Sequence, residues 1–412
     1  MISREENELL TLVEGDAPMG RMMRANHWMP ALRAARLEAD GAPIRVRLFG
    51  EDYVAFRATD GRVGFFDEGC PHRGVSLALA RNEDCALRCI FHGWKFDVSG
   101  RCVEVPTHSG DQADFASKVR LRHYPVREAG KMIWVWLGEG EPARFPELPF
   151  TNVPDDHVFM ASTKIPVNYL QGLEATLDSS HIPFLHRDWV GGMGAAYTAT
   201  IENTAPRFEI QDTSYGFRGA ALRTTRDGTV HVRMNEFVLP FHASMPPGSP
   251  ELGAYQILVP IDNVTTLWIY VCWNKDRPLE GTEGRGHLAK PDADLDDWVP
   301  PMGGPDEYWG QDRESMRNGT SFAGFNAGLL AEDTAAQISM GRIADRTKEM
   351  LCSGDGAIKA VRRLLAGAAR DYVAGEKPLG TDAGIPYRDL YAVSGVMAAS
   401  EDWRERFARS AA

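Results

Sequence analysis

The chain has 412 residues, of which 43% are hydrophobic and 25% are charged, and it carries a formal net charge of −12 at pH 7. This length can bury a large core in two domains, and the composition is that of an ordinary globular protein. The negative charge argues against nucleic-acid binding, and no stretch approaches the roughly eighteen apolar residues of a membrane span.

The start of the chain and its cysteines bear on the cellular compartment. The opening MISREENELL is acidic and lacks the apolar centre of a signal peptide. Six cysteines occur, at positions 70, 85, 89, 102, 272 and 352. We expect a cytoplasmic protein in which the cysteines outside metal sites are buried thiols rather than disulfides.

The first part of the chain is predicted to form helices and then a small antiparallel β domain. Residues 1 to about 30 have a helical pattern, and the stretches IRVRLF, YVAFRA and VGFF that follow have the alternation of strands. Asp60-Gly61 predicts the hairpin turn between the second and third stretches. Strand-like KFDV and KMIWVWLG come next, and Pro146-Glu147-Leu148-Pro149 marks the end of the domain. We therefore assign residues 1–150 to the first domain and residues 151–412 to the second.

Two short motifs in the first domain combine cysteine with histidine. Cys70-Pro71-His72 and Cys89-Ile90-Phe91-His92 stand sixteen residues apart. Two thiolates and two imidazoles in this order fit a [2Fe–2S] cluster of the Rieske type, in which cysteines hold one iron and histidines the other. The alternative is a tetrahedral zinc site, but zinc sites usually pair cysteine with cysteine and histidine with histidine. The alternation within each motif therefore favours the iron–sulfur cluster.

The second domain is predicted to combine helices with an antiparallel sheet. Strand character is found in RFEIQDTSYGFRGAALRTT, TVHVRMNEFVLPF, AYQILVPI and TTLWIYVCW, and Asp227-Gly228 and Asp262-Asn263 predict turns between them. Residues 275–320 are rich in proline, glycine and charge, so we expect surface loops or a lid there. A long helix is predicted in GAIKAVRRLLAGAARDYVAG, with an apolar core or interface face of Ile358, Val361, Leu365 and Ala368.

A second group of metal-binding residue types stands near the start of this domain. Glu174, Asp178 and His181 are spaced to share one face of a helix, and Pro183 could distort the helix enough to bring His186 to the same side. Two histidines and a carboxylate with open positions form the facial triad of non-haem Fe(II) oxygenases. Ordinary core or surface histidines are the alternative. A neighbouring cluster motif that can supply electrons to such an iron favours the triad.

With both motifs present, the chain resembles the Rieske non-haem iron aromatic-ring oxygenases, and among them the phthalate dioxygenase group. The resemblance covers nearly the whole chain, including MISREENELLTLVEGDAPMG, CPHRG, CIFHGWKFD, NYLQGLEATLDSSHIPFLH and EDTAAQISMGRIADRTKEML. The paired metal motifs are highly specific to the superfamily, and the N-terminal and SMGRIADRT stretches indicate the phthalate-like branch. The resemblance implies an α+β fold, with an all-β Rieske domain followed by a catalytic domain of helix-grip type.

The resemblance also implies roles for individual residues. The implied cluster ligands are Cys70, His72, Cys89 and His92. The implied ligands of the mononuclear iron are His181, His186 and Asp333. Glu332 is the neighbouring alternative carboxylate. Asp178 matches the family's bridging residue, which would bond His181 and a Rieske histidine such as His92 of the next subunit and so orient both rings. Glu174 and Asn168 match supporting positions near the iron.

The family's chemistry implies the reaction and its partners. An NADH-dependent flavin or iron–sulfur reductase supplies electrons to the cluster, and O₂ is activated beside a small aromatic substrate. Because Asp178 joins two subunits, we expect a homo-oligomer, either a trimer or stacked trimers. A dioxygenase and an aromatic O-demethylase of the vanillate or dehydrodivanillate type have all of these motifs in common, so both stay open. The less favoured alternatives are a Rieske electron carrier without catalytic iron and a zinc protein.

A carboxylated substrate needs a positively charged partner, and arginine binds carboxylates through two hydrogen bonds. Arg207, Arg223 and Arg233 lie on predicted strands, where alternation sends some side chains inward and others to solvent. Most arginines are solvated surface residues. Arg207 follows Pro206 at a strand entrance, an edge where binding groups often lie, so we select it as the candidate substrate anchor.

Overall fold

The computed structural model of the protein describes residues 1–190, 195–284, 302–326 and 328–408. Contacts divide the chain into a small unit, Met23–Phe145, and a large unit formed by Met1–Met22 and Pro146–Ala412. Among the helices in the described ranges, none has the length and apolar character needed to cross a membrane.

The chain begins with the helices α1 (Arg4–Thr11) and α2 (Pro18–Asn26), which confirms the predicted helical start. We assigned these residues to the first domain, but the first 22 residues belong to the large unit. One reason is a buried hydrogen bond of 2.7 Å, which the Tyr169 hydroxyl donates to the Leu10 carbonyl at the end of α1. The predicted boundary near residue 150 stays a prediction.

The small unit is built from short antiparallel sheets. Its strands are β1 (Trp28–Arg33), β2 (Ile44–Leu48), β3 (Glu51–Arg57), β4 (Val63–Asp67), β5 (Arg81–Glu83), β6 (Ala86–Arg88), β7 (Lys95–Asp97), β8 (Cys102–Glu104), β9 (Val126–Ala129) and β10 (Met132–Trp136), with a helix α3 (Gln112–Ser117). The sheets have the orders β2-β3-β4, β5-β6-β7-β8 and β1-β10-β9. Gly61, with a φ of +86°, lies in the predicted hairpin turn between β3 and β4. One cysteine–histidine loop follows β4, and the other connects β6 to β7.

The large unit contains an eight-stranded antiparallel sheet and helices. Its strands are β11 (Val158–Ile165), β12 (Arg207–Thr213), β13 (Gly216–Thr224), β14 (Val230–Val238), β15 (His242–Ser244), β16 (Leu252–Asp262), β17 (Thr265–Asn274) and β18 (Val393–Met397). Their order is β11-β17-β16-β15-β14-β13-β12, and β18 pairs with β14. The helices are α4 (Tyr169–Leu177), α5 (Ile182–Leu185), α6 (Arg187–Val190), α7 (Ala195–Glu202), α8 (Arg313–Arg317), α9 (Leu329–Ser339), α10 (Gly356–Val373) and α11 (Trp403–Arg406). This architecture confirms the predicted α+β fold.

The side chains of successive β14 residues point to opposite faces of the large sheet. Val232 and Met234 pack in a buried cluster with Trp403 of α11. Asn235 is on the other face, where its amide donates a hydrogen bond of 3.2 Å to the Leu177 carbonyl at the end of α4. Arg233 lies on this second face as well, and it lines the same cavity as His181 and His186.

The helix α4 ends before the predicted stripe of Glu174, Asp178 and His181 is complete, so the prediction of one continuous helix is wrong. Asp178 is extended, with a φ of −79° and a ψ of 125°. Its carboxylate accepts a hydrogen bond of 2.6 Å from the N–H two residues further on, a local turn that competes with helix formation. Pro183 lies in the first turn of α5, where its missing N–H is tolerated, so it begins a new helix rather than distorting α4.

Other local predictions agree with the structure. The turns at Asp227-Gly228 and Asp262-Asn263 connect β13 to β14 and β16 to β17. The predicted apolar face of α10 is buried, at Ile358, Val361, Leu365 and Ala368. Residues 285–301 of the predicted surface segment 275–320 lie outside the described residues.

Candidate metal centres

The two cysteine–histidine loops of the small unit have the same backbone hydrogen-bond pattern. The N–H groups of Cys70 and Cys89 donate to the carbonyl five residues further on, at 2.9 Å in the first loop and 2.8 Å in the second. Gly74 and Gly93 donate back to the carbonyls of these cysteines, at 2.8 and 2.9 Å. Both glycines are left-handed, with φ values of +74° and +76°, a conformation that favours glycine. Two motifs that differ in length by one residue therefore form matching loops.

The side chains of these loops form a pair of thiols and a pair of imidazoles. Cys70 and Cys89 are both buried, and burial together with the neighbouring Cys89 thiol raises the pKa of Cys70 to about 11. The ring centroids of His72 and His92 lie 4.6 Å apart, and the Trp94 ring stacks on His72 at 4.3 Å. The His92 Nδ1 atom is buried and has no hydrogen-bond partner in the part of the chain that the structure describes. A metal ion would satisfy that nitrogen.

This geometry fits a two-iron cluster better than a single zinc ion. Ligand atoms around one tetrahedral zinc lie about 3.3 to 3.8 Å apart. Within the described ranges, the group of three or more ligand atoms lying within 4.8 Å of one another is found elsewhere, in the large unit. The four cysteine and histidine side chains of these loops therefore do not converge on one ion. Separate thiol and imidazole pairs are what a Rieske cluster requires.

The converging group consists of His181, His186 and Asp333. His181 immediately precedes α5, His186 immediately follows it, and Asp333 lies in α9. The two Nε2 atoms are 3.1 Å apart, and Asp333 Oδ1 is 3.1 Å from His186 Nε2 and 3.6 Å from His181 Nε2. Ligands about 2.1 Å from a metal and at right angles to one another are separated by about 3.0 Å. The three atoms thus have the spacing of one face of an octahedron.

Each histidine has a carboxylate at its other ring nitrogen. His181 Nδ1 is 3.1 Å from Asp178 Oδ2, and His186 Nδ1 is 2.7 Å from Glu332 Oε2. Each carboxylate oxygen is within hydrogen-bond distance of the ring nitrogen that does not face the converging group. Burial lowers the pKa of His186, but Asp333 and Glu332 outweigh it and raise that pKa to about 9. Burial raises the pKa of Asp178, but the hydrogen bond and charge of His181 outweigh it, so that pKa is lowered.

A cavity of about 270 Å³ lies beside this converging group. Much of its wall is apolar, including Ile182, Val190, Leu252, Ala254 and Leu329. Polar groups in the wall include Thr176, Gln256 and Arg233. A mostly apolar pocket with few polar groups is typical of a binding site for a small organic molecule.

The structure contradicts the choice of Arg207 as the substrate anchor. Its side chain is 72% exposed and pairs with Glu209, because β12 is the edge strand of the sheet. The arginine in the cavity wall is Arg233, which is buried and donates a hydrogen bond of 3.0 Å to the Pro246 carbonyl. Arg223 is fully buried, and burial and the charge of Arg233 lower its pKa to about 10.

Asn168 and Glu174 have structural partners and are absent from the residues of the cavity wall, so their place near the iron stays a prediction. The Asn168 side chain accepts a hydrogen bond from the Leu170 N–H at the start of α4. The Glu174 carboxylate is held by Arg346 and Arg362, at 2.8 and 2.6 Å.

Comparison with known proteins agrees with the two metal centres. Residues 27–125 match the Rieske [2Fe-2S] domain family, and residues 135–411 match the family described as LigXa C-terminal domain like. The chain is 40% identical to the phthalate 4,5-dioxygenase oxygenase subunit of Pseudomonas putida, over 99% of this chain and 95% of that protein. It is 34% identical to the 3-chlorobenzoate-3,4-dioxygenase oxygenase subunit of Comamonas testosteroni, over 94% and 93%.

A demethylase and a solved oxygenase are also similar to the chain. The 5,5'-dehydrodivanillate O-demethylase oxygenase subunit of a Sphingobium species is 28% identical over 92% of this chain and 83% of that protein. The terminal oxygenase of carbazole 1,9a-dioxygenase from Nocardioides aromaticivorans has a TM-score of 0.60 at 22% identity, over 89% and 97% of the two chains. That likeness concerns the fold.

These relatives confirm the predicted cofactors, one [2Fe–2S] cluster and one mononuclear non-haem iron, and they confirm that the chain is an oxygenase. The dioxygenase prediction is better supported than the demethylase alternative, because the two relatives of higher identity are aromatic dioxygenase subunits. The chain belongs to the Rieske non-haem iron oxygenases, as an oxygenase subunit of the phthalate 4,5-dioxygenase type.

Proposed function

We propose that the chain is a terminal oxygenase that uses O₂ and electrons from an NADH-dependent reductase to hydroxylate a small aromatic carboxylate. One observation carries the substrate class: a buried arginine, Arg233, shares a cavity wall with the converging group of His181, His186 and Asp333. The names of two similar proteins, a phthalate and a 3-chlorobenzoate dioxygenase, also refer to aromatic carboxylates.

The proposed iron ligands are His181, His186 and Asp333, and the proposed cluster ligands are Cys70, His72, Cys89 and His92. Facial spacing supports the first set, and the matching loops with separate thiol and imidazole pairs support the second. When bound, the iron supplies dioxygen activation and the cluster supplies electrons. The chain itself orients the substrate and limits water through the largely apolar wall of the cavity.

Arg233 is proposed to hold the substrate carboxylate. A guanidinium has five N–H donors, and a carboxylate that accepts two of them is fixed in position and orientation. Arg233 is 7% exposed, so this pair is shielded from solvent and stronger than a surface pair. The fully buried Arg223 adds a second positive charge, which is close enough to Arg233 for the two charges to lower the pKa of Arg223. Two neighbouring positive charges favour an anionic ligand.

We further propose that an electron passes from the small unit of one subunit to Asp178 of the next, in a trimer or stacked trimers. Asp178 is suited to this because its side chain stays 21% exposed while it bonds His181. Ile90 and Phe91, beside His92, are exposed and offer apolar surface for a neighbouring subunit or the reductase. All six cysteines lie in the described ranges and none of them is in a disulfide, which supports a cytoplasmic location.

The test is NADH-dependent O₂ consumption with a surrogate reductase, with product masses, for phthalate isomers, 3-chlorobenzoate and their neutral amide analogues. Arg233→Met is expected to raise the KM for carboxylates by roughly 10- to 100-fold, since a charged hydrogen bond contributes about 1.5–3 kcal/mol. The KM for the amide analogues should rise much less. Arg207→Met, an exposed matched control, should behave as wild type.

Two outcomes would contradict this proposal. Equal KM values for carboxylates in wild type and Arg233→Met would exclude the anchor, and oxidation of amides alone would exclude the substrate class. An aromatic O-demethylase is the second candidate, because of the demethylase relative that matches 92% of the chain. Release of formaldehyde from a methoxybenzoate, without a dihydroxylated product, would identify that activity.

A further inference from the structure

Glu332 is a fully buried residue whose carboxylate contacts His186, a proposed iron ligand. It is 0% exposed, and its Oε2 atom lies 2.7 Å from His186 Nδ1. In the described part of the chain, its ion pair is with His186, and its Oε1 atom is buried without a hydrogen-bond partner. A buried carboxylate without an arginine or lysine costs folding free energy. Packing therefore does not account for this residue.

Asp178 and Glu332 stand in the same relation to the two histidines but in different surroundings. Asp178 is 21% exposed beside His181, and its other oxygen accepts the Ser180 N–H. Glu332 and His186 are 0% and 3% exposed, so no solvent or second protein can reach their hydrogen bond. Asp178 is thus open to an external partner, whereas Glu332 can act only on the metal site.

We propose that Glu332 is a positioning residue for the mononuclear iron, which keeps the proton of His186 on Nδ1 and so directs the Nε2 lone pair at the metal. This inference rests on the proposed assignment of His186 as an iron ligand. A carboxylate can only accept a hydrogen bond, so it specifies which ring nitrogen carries the proton. In the opposite tautomer Nε2 carries the proton and cannot bind a metal.

The charges at the site support the same role. Glu332 and Asp333 are consecutive residues of α9, and their carboxylates lie 2.7 and 3.1 Å from ring nitrogens of His186. Two carboxylates balance one divalent cation, so the buried part of the site becomes neutral when the iron is bound. Because the balance is electrostatic, an uncharged residue in place of Glu332 should weaken metal binding even if it fills the same space.

The experiment is a titration of Co²⁺ into the full chain, with the cluster present and oxidised and the mononuclear iron removed. Oxidised [2Fe–2S] clusters are silent in electron paramagnetic resonance, so the signal of high-spin Co²⁺ reports on this site alone. We expect Glu332→Leu to weaken Co²⁺ binding by roughly 10- to 100-fold and to change the signal. Glu332→Gln keeps an acceptor oxygen, so it should lose less affinity than Glu332→Leu but still change the signal. Glu236→Gln is the control, since Glu236 is equally buried but bonded by Tyr215.

Wild-type affinity and signal in Glu332→Leu would overturn the positioning role. If that variant does not fold, the same result in Glu332→Gln would overturn it. Asp333→Ala separates this failure from failure of the proposed metal site: it should abolish tight Co²⁺ binding, and unchanged binding would show that the site itself is misassigned.

Discussion

Glu174 is predicted to stabilise the fold without contributing to the metal centre, although the sequence suggested a place beside the iron. Its carboxylate is bonded by Arg346 Nη2 at 2.8 Å and by Arg362 Nε at 2.6 Å, and the three side chains are 12%, 0% and 6% exposed. Glu174→Gln would leave two buried guanidinium groups without this counter-charge. Removal of one partner from a buried ion pair costs about 3–5 kcal/mol.

The assay is thermal unfolding of the full chain, combined with the Co²⁺ signal of the mononuclear site. For a unit of this size, 1 kcal/mol corresponds to roughly 2–4 °C, so we expect the unfolding temperature to fall by roughly 10 °C. Glu349→Gln is the matched control, because Glu349 also pairs with Arg362 but is 29% exposed. This substitution should lower the free energy of unfolding by less than about 1 kcal/mol. A Glu174→Gln variant with unchanged unfolding but an altered Co²⁺ signal would refute this reasoning.

The same cluster predicts the direction of a pH dependence. Burial raises the pKa of Glu174, but Arg346 and Arg362 outweigh it, and the folded-state pKa falls below 4.5. A group whose pKa is lowered on folding stabilises the protein above its unfolded-state pKa and loses this effect as the pH falls through the folded-state value. The difference in unfolding temperature between wild type and Glu174→Gln should therefore be constant from pH 7 to about pH 5 and shrink at lower pH.

Two further predictions concern the loops and the bridging carboxylate. Gly93→Ala should lose the cluster, because a Cβ at this position would lie 2.8 Å from Pro106 Cγ and the φ of +76° disfavours a side chain. Gly74 has a similar φ of +74°, but a Cβ there would meet no atom within 4 Å, so Gly74→Ala should retain more of the cluster. The two variants are compared by the electron paramagnetic resonance signal of the reduced cluster, and equal signals would contradict the steric argument. Asp178→Asn should keep the cluster but lower the turnover per bound iron, because it removes the carboxylate that lies 3.1 Å from His181 Nδ1 and is proposed to pass the electron between subunits. Normal product formation at full iron content would count against the bridging role.

The candidate metal ligands could be selected from the sequence because their types and spacing are specific. Cys70, His72, Cys89 and His92 are recognisable in any context, since few metal centres use alternating thiolates and imidazoles. His181 and His186 stand out because the cluster motif beside them can supply electrons to an iron. Turn residues such as Asp60-Gly61 were equally informative, because local backbone geometry determines where they occur.

The errors arose where distant parts of the chain decide the outcome. Strand alternation gives two faces but not the buried one, so Arg207 and Arg233 could not be distinguished without the order of strands. The sequence could not show the partners of Glu174, because Arg346 lies 172 positions later in the chain. The end of α4 was missed because the Asp178 side chain competes locally with the helix. Glu332 stood out in the sequence only as an alternative to Asp333, because its contact with His186 joins residues 146 positions apart.

The most direct test of the account is a single turnover under ¹⁸O₂. The full chain, with its cluster reduced and its iron content measured, would be exposed to ¹⁸O₂ with phthalate or 3-chlorobenzoate, and the product mass would be determined. The account predicts an aromatic carboxylate product that contains oxygen from ¹⁸O₂, in an amount that follows the content of reduced cluster and iron. Fully loaded protein that oxidises its cluster without transferring labelled oxygen to any aromatic carboxylate would contradict it.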